Sequence, residues 1–200
     1  MFALVESGSI TKMLNGRKGI TIDGVQHPQQ IFTIWTESER NAIGIYTVEM
    51  DESKRKNDKW YINTNITYTF SGGKVTGSYG DATAKAHADT LYTAQDETDG
   101  LGTEGDVKVE GLKTKLIRNV KAQAEGELNR TDWYVVRKSE EDTAIPSAIT
   151  THRKAVRSKQ AEMETAITNA SDTPALETLY TYTEQEDGTS ARPLGEIPNL

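Results

Sequence analysis

Leu128-Asn129-Arg130-Thr131-Asp132-Trp133-Tyr134-Val135-Val136-Arg137-Lys138, followed by Ala144-Ile145-Pro146, divides the second half of the chain. Ahead of it, Val109, Leu112, Leu116, Val120, Ala124 and Leu128 recur at spacings of three and four, which predicts a helix over roughly 105–129. Behind it, Pro146 suits the first turn of a second helix, and Ile149, Val156, Met163 and Ala170 follow at intervals of seven. The stretch between reads as an extended aromatic link. Two amphipathic helices so joined are expected to pack as an antiparallel hairpin, clamped by buried Trp133 and Tyr134.

Working toward the N-terminus, the pattern changes from helical to β. Ile20 to Val25 is a short strand running into an Asp23-Gly24 turn, a strong hairpin signal. Thr36-Glu37-Ser38-Glu39 is a capping box that starts a short helix, expected to reach about Ile43 and stop at Gly44. Ile45 to Val48 is the next strand. Trp60 to Phe70 alternates with period two and predicts one long strand, with Trp60, Ile62, Ile66, Tyr68 and Phe70 on its buried face. Gly72-Gly73 then turns the chain. From about Ala82 the composition is helical, interrupted by an acidic loop over 95–106. After 173, glycines and prolines predict an extended tail.

The expected class is therefore α+β: a β-rich antiparallel domain over 1–80, a linker with a short helix and acidic loop over 81–104, a helical hairpin over 105–172 and a tail over 173–200. The apolar fraction of 35% is low, as in a thin module whose core is completed between subunits. A net charge of −7 lacks the basic footprint of a nucleic-acid binder. There is no cysteine for disulfides or thiolate metal sites, and no apolar run approaches a membrane span. Neither nucleic acid nor membrane is expected as a partner.

Motifs for chemistry are weak. Ser71 to Gly77 contains Gly, Lys and Thr without the spacing of a phosphate loop, and reads as a turn between strands. His27, His87 and His152 are scattered, without metal-ligand spacing. Asp96, Glu97, Asp99, Glu104 and Asp106 could offer oxygens to a calcium ion, but lack the register of an EF-hand. No catalytic residue, metal site or cofactor is assigned, and the chain reads as a non-enzyme. One charge pattern stands out. His152, Arg153, Lys154 and Arg157 lie in the first half of their helix, where cations oppose the helix dipole. The acidic loop 96–106, of the same or a neighbouring subunit, is the expected counterpart. Arg153 and Arg157, with Ile149, Val156 and Met163, are the candidate interface. Trp60, Tyr61 and Tyr79 are the candidate platform for a glycan.

Ile31-Phe32-Thr33-Ile34-Trp35-Thr36-Glu37-Ser38-Glu39-Arg40-Asn41-Ala42-Ile43-Gly44-Ile45-Tyr46 resembles a pattern in tail-associated proteins of marine and freshwater tailed bacteriophages. Gly105 to Val136 and Ala144 to Ala170 resemble the helical module of the same proteins. Together these segments cover more than half the chain. The resemblance implies a structural subunit of a tail fibre, fibre adaptor or tail tip, assembled in the host cytoplasm and resident in the virion. Its implied partners are itself, as a homotrimer or ring, and other tail proteins. Two alternatives remain: a module binding host surface glycan, and a tail-fibre assembly chaperone.

Overall fold

Asp23 and Gly24 both adopt left-handed backbone, with φ of 49° and 79°. Two consecutive positive φ values make a turn whose twist matches the strands it joins, and Gly accepts that conformation without a Cβ penalty. This turn pairs β3 (Ile20–Ile22) with β4 (Val25–His27). The same geometry recurs at Ser7-Gly8, between β1 (Phe2–Glu6) and β2 (Ser9–Leu14). It recurs again at Gly72-Gly73, between β7 (Thr67–Ser71) and β8 (Lys74–Ser78).

The structure is a computed structural model describing residues 1–200, in two compact units, Met1–Thr83 and Ala84–Leu200. In the first, a five-stranded sheet has the order β2-β1-β5-β8-β7, where β5 is Ile45–Asp51. The sheet is mixed rather than antiparallel, because β5 and β8 run parallel. The Gly72-Gly73 turn forces β7 and β8 antiparallel, so the chain leaving β5 enters the edge strand first and then doubles back beside β5. A single long strand over 60–70 does not form. Asn65, at φ 58°, ends the extended run and separates β6 (Tyr61–Ile62) from β7. Trp60 closes a turn on the Asn57 carbonyl ahead of β6 rather than joining the strand; Trp60 and Tyr61 are both buried, while Ile62 and Ile66 are exposed.

α1 (Glu37–Ala42) begins at the expected capping box: Glu39 N–H donates to Thr36 Oγ1 and Thr36 N–H to Glu39 Oε2, at 2.7 Å in the second case. It stops at Gly44, whose φ is 81° and where a Cβ would press on the Val5 carbonyl oxygen at 2.6 Å. The core of this unit is Leu4, Ile20, Ile22, Ile31, Phe32 and Ile45. A two-residue strand, β9 (Thr83–Ala84), lies at the boundary.

The second unit opens with an arm: β10 (Thr90–Leu91), α2 (Ala94–Thr98) and β11 (Val107–Val109), with β10 and β11 antiparallel. α3 (Leu112–Asn129) therefore starts later than 105, since 107–109 is taken by the strand pair. Its first N–H groups find partners outside the helix. Gly111 N–H donates to Asp89 Oδ1, Leu112 N–H to Ala86 O and Lys113 N–H to His87 O. The remaining elements are α4 (Asp132–Glu141), α5 (Ser147–Asn169), α6 (Thr173–Tyr180), β12 (Thr183–Glu184) and β13 (Ser190–Ala191).

The expected aromatic link is helical, since α4 resumes after a break at Thr131. α3 and α5 pack through the predicted stripes: Leu116, Val120 and Ala124 on one, Ile149, Val156, Met163 and Ile167 on the other, all buried. Each of these side chains larger than alanine contributes roughly 1.5–3 kcal/mol on burial. The segment after 173 is not an extended tail throughout. Asp172 caps α6 through the Ala175 N–H at 2.8 Å, and Leu194 is buried beyond it.

Candidate interaction surfaces

Arg153, within the basic run on α5, is satisfied from within its own unit. Arg153, only 8% exposed, donates from Nη1 to Leu128 O at 2.8 Å and to Thr131 Oγ1 at 2.6 Å; its Nη2 lies 2.8 Å from Asp132 Oδ1. One guanidinium thus satisfies the carbonyl end of α3, the hydroxyl at the break and the acid at the start of α4. Bidentate reach of this kind suits arginine and not lysine. Beside it, buried Glu127 accepts from Arg130 Nη1 at 2.8 and 3.0 Å and from the Leu200 N–H at 2.8 Å. His152 Nε2 lies 3.1 Å from the same carboxylate. The Arg130 hydrogen bonds, followed by the Leu200 N–H, hold the Glu127 carboxyl below its usual range although burial opposes them.

This corrects three expectations. The acidic loop 96–106 is not the counterpart of Arg153. Ile149, Val156 and Met163 face the chain's own core, where α3 already covers them, and so do not form an interface between subunits. Of that set only Arg157 is exposed and without an ion-pair partner, in a groove beside Lys121, Glu125, Asn129 and Gln160. The proposed glycan platform also dissolves. Trp60 and Tyr61 are buried, and Tyr79 is half-buried under the Arg55 guanidinium.

Trp133, by contrast, is exposed, at 51%. It stacks on Tyr134 at 3.7 Å between centroids, with Arg137 over both rings. α4 buries none of its side chains and also exposes Val135 and Val136. The hairpin clamp expected of Trp133 is not formed, because the chain stays helical there and turns the indole outward.

The arm covers little of its own apolar surface. No residue from Leu91 to Val109 is buried, and Leu91, Leu101, Val107 and Val109 are exposed aliphatics. Asp96 is committed inside it, to Lys108 Nζ at 2.6 Å and to the Thr93 N–H at 2.9 Å. Those two contacts, Lys108 first, hold its carboxyl down to about 2. Glu97 and Asp99 make only neutral hydrogen bonds, to the Glu104 N–H and to the Gln95 amide, and with Glu104 and Asp106 they have no cationic partner.

The first unit carries the opposite charge on a concave surface. A cavity of about 460 Å³ runs beside edge strand β2, floored by Ile20, Phe32 and Leu14 and rimmed by Lys12 and Lys18. Arg17 stands next to Lys18 in the same loop, and none of the three cations has an ion-pair partner. No local motif marks this groove. Lys12 lies in a strand and Arg17-Lys18 in the loop that follows, and only the fold sets them around apolar residues.

No family model matches the chain, and neither a curated protein nor a solved structure matches it. No helix is long and apolar enough to cross a membrane.

Proposed function

We propose that the chain is a structural subunit of a phage tail, in a fibre, fibre adaptor or tail tip, acting through protein–protein contacts and without catalysis. The observation that supports this most is the arm over 90–109, which exposes four aliphatic side chains and buries none. An isolated two-stranded ribbon is marginal in water, and exposed apolar surface of this kind marks a contact to be covered. In this reading α3 and α5 serve as a helical hairpin stem that holds the arm and α4 outward. Subunits meet as a trimer or ring, with other tail proteins as further partners. Assembly takes place in the host cytoplasm and the product resides in the virion tail.

Mass spectrometry of purified particles of the encoding phage tests this. The chain is expected in finished particles at a fixed ratio to other tail proteins. Its presence in infected cells but absence from particles would overturn the reading in favour of an assembly chaperone.

A further inference from the structure

Two surfaces of this chain carry opposite, unspent charge, each set around exposed or accessible apolar residues. We propose that the arm of one copy docks into the Lys12–Lys18 groove of a second copy. The carboxylates of Glu97, Asp99, Glu104 and Asp106 make no ion pair, and neither do Lys12, Arg17 and Lys18. Leu101, 59% exposed at the arm's far end, is the anchor that fits a floor of Ile20, Phe32 and Leu14. Burying it there removes apolar area from both partners, while the rim charges select the partner and its register. Charge complementarity decides for a second copy over an unrelated protein, since both halves of the match are written in one sequence.

In the ring of the assembly reading each copy gives its arm to one neighbour and takes the arm of the other. Head-to-tail contacts of this kind repeat until they close into a ring or extend as a filament, whereas arms exchanged reciprocally would stop at a two-fold dimer. The inference rests on the assembly reading above, and the two fail separately. A chain found in particles but monomeric when purified leaves that reading standing and removes this one.

The test uses full-length protein and sedimentation velocity over a concentration series at low and high salt. Wild type is expected to associate beyond a dimer as concentration rises, and to dissociate as salt screens the rim. K12E/R17E/K18E reverses the groove and E97K/E104K/D106K reverses the arm. All six side chains are exposed, so circular dichroism should report unchanged folding. Each triple variant alone should lose at least tenfold in association constant. An equimolar mixture of the two should regain it, because the reversed arm fits the reversed groove while the untouched arm fits the untouched groove. A wild type that is monomeric at every concentration, association indifferent to both triples, or a mixture no better than its components would each overturn the proposal.

Discussion

Arg153 shows how one residue fixes a helix break. Its guanidinium holds Leu128 O, Thr131 Oγ1 and Asp132 together while itself almost wholly buried. Arg153→Ala leaves those acceptors without their donor and is expected to cost about 3 kcal/mol, read by urea denaturation. Trp133→Ala should behave oppositely. The indole is half exposed, so unfolding should shift by less than about 1 kcal/mol. A loss of several kcal/mol would put the ring in a core after all. At Asp96 the folded carboxyl sits at about 2, below its ordinary 3.8. A depressed folded value means the stabilisation is complete above the ordinary value and is lost as pH falls from there toward 2. Protection of the Tyr92 and Gly105 amides, which hydrogen bond across the arm, should fall through that window in wild type. In Asp96→Asn the fall should be absent.

Among elements, α3 is the one whose start the sequence misplaces. Amphipathic spacing runs smoothly through Val109 to Leu128, yet Val109 belongs to a strand, because pairing with β10 claims it first. The signal for the true boundary is Gly111. A Cβ there would overlap the Ala88 carbonyl, so only glycine lets the 86–89 segment lie across the helix start and cap it. Gly111→Ala should cost about 1–3 kcal/mol and unlock the arm's base, seen as faster exchange at Leu112 and Lys113. Elements set by local chemistry were legible: the α1 capping box, the Asp23-Gly24 turn, the stripes of α3 and α5. Those set by distant partners were not. Parallel pairing of β5 with β8 leaves no local mark, and the period-two run at 60–70 continues straight through Asn65, whose left-handed backbone only the fold requires. The candidate surfaces were hidden for the same reason. Exposure of Trp133 and burial of Trp60 depend on what lies opposite, and that is not a property of spacing.

At the scale of the molecule, each unit has its own core, Leu4, Ile31 and Ile45 in one and Val120, Val156 and Leu176 in the other. A fragment of residues 84–200 should therefore keep its helical ellipticity and a cooperative thermal transition; a non-cooperative melt would show that it depends on the rest of the chain. The three two-residue turns of the first unit carry a consequence in time. Hairpins joined so tightly zip within microseconds, since little chain must be closed before the first cross-strand contact forms. β5 and β8 are different: they meet only after everything from 52 to 73 has been folded out of the way, and entropy charges for that closure in advance. The parallel seam between Val48 and Val75 is thus the bottleneck of the unit's folding. Trimming Val75 should slow refolding in stopped-flow, and loosening the Asp23-Gly24 turn, already made at that barrier, should also slow refolding while leaving the unfolding rate nearly unchanged.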